Sequence, residues 1–267
     1  PEKYLEFLRA VIARQAKLIA QWQLVGFVHG VMNTDNMAIS GETIDYGPCA
    51  FMNRYRTDTV FSSIDHQGRY AYGNQPAIAQ WNLARFAESL LPLLSDDQER
   101  SVEIATDALN AYVEKYQSCW RAGMRSKLGL TKHEDGDQEL GQSLLDWMEA
   151  EEADFTNTFR ELSETGDYGV YSHSPKFRAW HNRWLNRLGR EERPLDQILS
   201  AMCEVNPAVI PRNHRAEEAL AAAEAQDDLS VMHRLLDVLS TPFSPPADSA
   251  AYREPAPDHN YQTYCGT

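Results

Sequence analysis

Residues 26–48 read GFVHGVMNTDNMAISGETIDYGP, and they gather three acids, two asparagines and a histidine around short apolar runs. Met37-Ala38-Ile39 and Thr43-Ile44 favour burial, whereas Asp35, Asn36 and Asp45 favour water or a cation. Two readings compete. Taken alone, Asp35-Asn36 is a turn whose side chains bond the backbone. Taken with its neighbours, the stretch is a floor carrying oxygen ligands. The apolar runs predict two very short strands, Met37–Ser40 and Thr43–Asp45, joined at Gly41-Glu42 as a buried hairpin that stiffens those ligands.

The flanking chain is helical by pattern. Leu5, Leu8, Ile12, Ala16, Ile19 and Trp22 recur at three- and four-residue steps, which predicts an amphipathic helix over 3–25 ended by Gly26. Residues 46–76 hold Gly and Pro without a period. Their aromatics (Phe51, Tyr55, Phe61, Tyr70, Tyr72) predict a long but ordered loop. Helices then dominate, one from Pro76 and one opening at Ser95 as N-cap. Others are expected near 138–164, 175–188, 194–204, 213–224 and 228–239, and the prolines after Leu239 predict an irregular tail. The tryptophans (Trp22, Trp81, Trp120, Trp147, Trp180, Trp184) fall at helical positions and are expected in the core.

Composition narrows the function. The 267 residues carry 39 acidic and 25 basic side chains, net −14, which disfavours nucleic acid and anionic membrane as partners. No apolar run reaches the ~18 residues of a membrane span and no secretory pattern opens the chain, so it reads as cytoplasmic. Four dispersed cysteines without a CxxC pair argue against zinc and against a disulfide scaffold.

The order long helix, His-Gly, acidic loop, small hairpin, Asp-aromatic-Gly, long loop, helices is that of the C-terminal lobe of a protein-kinase-like fold. A His-x-Asp-x-x-x-x-Asn catalytic loop laid on His29 finds its Asn at Asn36 but meets Val31 where the catalytic Asp should stand. Asp35 lies beside Asn36, and Asp45-Tyr46-Gly47 occupies the place of the Asp-Phe-Gly metal ligand. Together with HGVMNTDNM (29–37), TIDYGP (43–48), HQGRYAYGNQP (66–76), MRSKLGL (124–130), NPAVIPRNH (206–214) and the terminal YCGT, this resembles the selenoprotein O family, bacterial members included, over essentially the whole chain.

The resemblance implies a mainly α fold: a kinase-like C-lobe core over 1–120 bearing the catalytic loop, a helical extension over 121–240 packed on the same lobe, and a tail over 241–267. It implies protein adenylylation, in which AMP passes from ATP, bound in the reverse sense to a kinase, to Ser, Thr or Tyr hydroxyls of a protein. Asp35 would be the general base. Asn36 and Asp45 would bind Mg²⁺ or Mn²⁺, with Asp45 also facing the nucleotide phosphates. Hard divalent cations take oxygen donors and usually keep phosphates and waters in their shell, which suits that pair. Two alternatives stand beside this reading: a non-catalytic pseudokinase module, motivated by Val31, and a phosphate-transferring kinase. The protein is expected to be monomeric.

No Gly-rich loop or strand-rich segment precedes residue 26, and there is no initiator Met. The expectation is therefore the C-terminal part of a longer protein whose N-lobe is absent, binding ATP weakly and inactive by itself. His29 is expected to be a structural hydrogen-bonding residue. Asp65, His66 and Arg69 are read first as an ordered ion pair and second as a contact to protein substrate. Arg125 and Lys127 either face phosphate or complement a helix C-terminus. Cys265 stands where animal members carry selenocysteine, and the resemblance implies a redox pairing with another cysteine, with Cys49 the candidate in the long loop; an unpaired tail thiol is the alternative. Cys119 and Cys203 are expected to be buried.

Overall fold

The computed structural model describes residues 2–256 and 261–264. The helical period of the N-terminal segment produces α1 (Glu2–Val25), which buries Leu8, Val11, Ile12, Ala16, Ile19 and Trp22 on one side. Gly26 stops it at φ +72°, a left-handed conformation that glycine adopts without a Cβ clash. A two-residue strand β1 (Phe27–Val28), a 3-10 turn (Thr34–Asn36), a second two-residue strand β2 (Ala50–Phe51) and another 3-10 turn (Tyr72–Asn74) lead to α2 (Gln75–Leu94). Pro76 sits in the first turn of α2 as expected, where its missing N–H costs nothing.

Helix α1 packs on α2, with Phe7 and Phe86 in an edge-on ring contact at 5.7 Å. Next comes α3 (Gln98–Lys127). Its cap is Asp97, whose carboxylate accepts from the Arg100 N–H at 3.0 Å. Ser95, the expected cap, ends α2 instead and accepts from the Asp97 N–H. A carboxylate at this position also complements the helix dipole, an advantage a hydroxyl lacks.

The described residues are mainly helical and form two compact units. The first comprises α1 through Cys49, Thr57–Gly123 and the segment around Thr263. The second comprises Ala50–Arg56 and the chain from Met124 through α4 (Asp137–Ala150), α5 (Phe155–Thr165), α6 (Pro175–Leu188), α7 (Leu195–Cys203), α8 (Asn213–Gln226) and α9 (Ser230–Leu239). The single helical run expected over 138–164 is broken into α4 and α5. Glu152 turns the chain at φ +52°, and Asp154 restarts it by accepting the Asn157 N–H at 2.7 Å. Among the described residues no helix is long and apolar enough to cross a membrane.

In the second unit α4 packs on α6, α5 on α7 and α8 on α9. Trp147, Trp180 and Trp184 are buried there, and the Trp180 and Trp184 indoles donate to the Leu140 and Leu128 carbonyls. Arg212, 1% exposed, is bound on both sides: its guanidinium donates to both Asp154 oxygens at 2.7 and 3.0 Å, to Asn53 Oδ1 and to the Arg253 carbonyl. Asp154 thereby caps α5 and neutralises a buried cation at once.

Lys127 is buried and does not face phosphate: its ammonium lies 4.0 Å from the centroid of the Phe159 ring. Burial pushes its pKa down to about 7. The unfolded chain holds that proton to about 10.5, so it binds more protons than the folded state between these values, and stability rises as pH climbs through the window. Lys127→Met is expected to stabilise the fold at pH 6 by about 1–2 kcal/mol, because desolvating an ammonium outweighs its two cation–π contacts, to Phe155 and Phe159. It should also flatten the rise between pH 7 and 10. Urea titrations of both proteins across that range check this, and equal slopes would contradict it.

Candidate active site

The loop after β1 has few regular backbone bonds, so its buried carbonyls need other donors. Side chains of the two packed helices supply them. Gln15 Nε2 donates to the Ala38 carbonyl at 2.5 Å, Asn82 Nδ2 to Met32 at 2.9 Å, and Gln75 Nε2 to Phe27 at 2.9 Å. The Trp22 indole donates to Thr43 Oγ1. Gln23 and Tyr72 exchange bonds with each other's carbonyls, which ties the end of the long loop to α1. Buried amides thus pin the loop to the two helices.

This corrects the expected hairpin. Met37 and Thr43 share one antiparallel bridge, closed by the Gly41 N–H to Ala38 carbonyl turn, and no strand forms. Its apolar residues are not core either: Ile39 is 50% and Ile44 38% exposed. The polar pins above do the stiffening assigned to the hairpin.

His29 is the hub of the loop and is fully buried. Its backbone N–H donates to Gln75 Oε1 at 3.0 Å. Its Nε2 lies 2.8 Å from the Ile44 carbonyl, which can only accept, so Nε2 carries the proton and Nδ1 is free to accept from the Val31 N–H. The ring is therefore neutral, and burial lowers its pKa, opposed in part by the Ile44 bond and the negative charge of Asp45. His29 is structural, as expected. Gly30 follows at φ +89°, where an added Cβ would lie 2.5 Å from the Pro48 carbonyl oxygen, so the loop admits only glycine at this approach.

The hub has two arms. Along one, Asn36 Nδ2 donates to the Val31 carbonyl at 3.0 Å. That carbonyl cannot donate, so the amide orientation is fixed and Oδ1 is the atom left to take a cation. Along the other, the Ile44 bond anchors the residue before Asp45, which takes φ +54°, an uncommon conformation for a non-glycine residue. Asp35 and Asp45 are exposed and Asn36 half-buried, while the Val31 side chain is buried. All belong to the first unit. Among the described residues no group of three or more His, Cys, Asp or Glu could hold a metal ion. Asn36 and Asp45 offer two hard oxygen donors, which fits an ion that takes the rest of its shell from phosphates and water.

Other expectations fare differently. Asp65 and Arg69 form no side-chain ion pair: the Asp65 carboxylate accepts the backbone N–H groups of Arg69 and Tyr70 at 2.8 and 2.7 Å. Trp81 is 44% exposed rather than core. Cys119 and Cys203 are half-buried. The Cys49 thiol donates to the Tyr46 carbonyl, and burial pushes its pKa up to about 11, which disfavours thiolate. Cys265 lies outside the described residues. Sequence reasoning missed Gln15, Gln75 and Asn82; only a long polar side chain on the apolar face of an amphipathic helix hinted at them.

Known proteins resemble this chain over most of its length. The family model of the protein adenylyltransferase SelO matches residues 1–240. Proteins described as protein nucleotidyltransferase YdiU are 57% identical in Geobacillus kaustophilus and 56% in Halalkalibacterium halodurans over 269 residues, and 55% in Alkaliphilus metalliredigens over 267. Each alignment covers 99% of this chain and 54–55% of the relative, so the chain spans about half the length of the curated relatives it matches. With a match over most of its length and more than half of the aligned positions identical, the chain belongs to the protein adenylyltransferase SelO family.

Proposed function

We propose that this chain carries the catalytic loop of a protein adenylyltransferase with a kinase-like C-lobe, which moves AMP from ATP to Ser, Thr or Tyr hydroxyls of other proteins. The observation that supports it is the His29 hub, which orients the Asn36 amide through Val31 and anchors the turn bearing Asp45. Asn36 Oδ1 and the Asp45 carboxylate would hold Mg²⁺ or Mn²⁺. A divalent cation bound there supplies charge compensation on the phosphate oxygens. Asp35, exposed at the rim, takes the proton of the acceptor hydroxyl. The acceptor oxygen forms a bond to the α-phosphorus, the bond from that phosphorus to the bridging oxygen breaks, and pyrophosphate leaves with the electron pair.

ATP labelled separately on the α- and γ-phosphates, incubated with the full-length protein and a mixture of acceptor proteins, tests this. Label from the α position on protein is the expected result. Label from γ would make the protein a kinase, and label from neither would favour the non-catalytic module suggested by Val31.

A further inference from the structure

Arg69, at the end of the long loop, and two residues of α2 place a pair of guanidinium groups against one indole. The Arg69 guanidinium carbon lies 5.0 Å from the centroid of the Trp81 ring, and that of Arg85 lies 5.4 Å from it. Arg69 also lies 5.7 Å from the Tyr70 ring. Trp22, Trp147, Trp180 and Trp184 are buried and Trp120 is half-buried, so Trp81 is the exposed member of the set. Arg85 is paired with Glu88 one turn on. The exposed Arg69 has no carboxylate partner among the described residues, because Asp65, the nearest acid in sequence, spends both oxygens on backbone N–H groups.

This cationic, aromatic patch adjoins the loop of the proposed base. The Tyr70 hydroxyl donates to Asn33 Oδ1 at 2.6 Å, two residues before Asp35. Arg85 also lines a hollow of about 300 Å³ whose walls include Thr34, Met37, Ile39 and Phe86. Thr34 immediately precedes Asp35. Patch and hollow therefore extend from the catalytic loop along α2, all within the first unit.

We propose that Arg69, Trp81 and Arg85 form a docking platform for an acidic segment of the protein substrate beside its target hydroxyl, with an apolar side chain of that segment seated in the hollow. The proposal rests on the adenylyltransferase reading for the word substrate; the binding itself does not. Stacking a guanidinium on a ring holds it flat while leaving its N–H edge for a carboxylate, and a half-exposed indole gives contact area at low entropic cost. Charge complementarity selects the partner, since an acidic segment is repelled by most of this surface and attracted here. A nucleic acid strand would meet the same repulsion along its whole length, with only this patch in its favour.

The test is fluorescence anisotropy with the 267-residue chain and no ATP. The probes are labelled peptides of one length with a central serine and a leucine, flanked by Glu in one, Gln in the second and Lys in the third. The Glu peptide is expected to bind about tenfold more tightly than the Gln peptide, with the advantage shrinking as salt rises. Arg69→Glu is expected to abolish that preference and shift it toward the Lys peptide, and Trp81→Ala to weaken the Glu and Gln peptides alike. Arg69 is exposed, so Arg69→Glu should fold, as circular dichroism will show; Arg69→Gln, which should lose the preference without reversing it, is the second variant. Binding that ignores the flanking charge, a preference that survives Arg69→Glu, or an oligonucleotide of equal charge binding as tightly as the Glu peptide would each overturn the proposal. Peptide binding is read without AMP transfer, so loss of the α-phosphate label with this preference intact would sink the adenylyltransferase reading alone.

Discussion

Asp45→Asn in the full-length protein is expected to lower AMP transfer by about 10²–10³-fold while leaving the fold intact. On the proposed assignment the loss would be that of one charged metal ligand where transition-state charge is compensated, a class of change worth about 3–4 kcal/mol. Asparagine is the right replacement because position 45 sits at φ +54° and asparagine tolerates the left-handed region, so the variant removes charge without adding backbone strain. Asp45→Ala would mix the two effects. Asp35→Asn should cost about 10²–10⁴-fold, the usual contribution of a positioned base. The two variants should differ in cation dependence: raising Mn²⁺ partly restores Asp45→Asn and leaves Asp35→Asn unchanged. Rates of α-label transfer across a metal titration measure this. Near-normal transfer by either variant would remove that residue from the site.

Arg212→Ala is expected to destabilise the second unit by about 3–5 kcal/mol, the largest stability effect the structure suggests. The side chain is 1% exposed and its removal leaves the buried Asp154 carboxylate without its counter-charge. Asp154 also caps α5, so the damage extends to a helix end. Arg212→Lys should recover only part of the loss, because a single ammonium cannot reproduce the two-pronged contact with Asp154 and the bonds to Asn53 and Arg253. The midpoint of chemical denaturation for the three proteins decides it. A shift below about 1 kcal/mol for Arg212→Ala would show that the network relaxes around the gap.

Helices were legible in the sequence wherever one face was apolar over several turns, as in α1, α2, α6, α7 and α9, and α8 from its alanine- and glutamate-rich composition. The break between α4 and α5 was not, because Glu152 takes a left-handed conformation for which its residue type gives no warning. Asp97 displaced Ser95 as cap of α3 because a second candidate two residues on carried a full charge. In the candidate site, spacing from His29 singled out Asn36, while Asp35 came from its place beside Asn36 and Asp45 from the Asp-aromatic-Gly pattern, with their roles implied by the family resemblance; the three lie on one loop and the turn that follows it. What holds them was illegible: Gln15, Gln75 and Asn82 act on carbonyls 23 to 50 residues away in the chain, a distance no local pattern encodes. Apolar residues at 37–44 suggested burial, yet the polar amides beneath them took over the stiffening and left Ile39 and Ile44 at the surface.

Val31 orients Asn36 through its main chain. Its side chain is buried, and its carbonyl is what orients Asn36. The bond that orients the Asn36 amide therefore does not require a carboxylate at position 31. On the proposed assignment, a loop wired this way would separate two inheritances that a catalytic motif normally carries together: the base would stand at the rim at Asp35 while the cation ligand kept its place at Asn36.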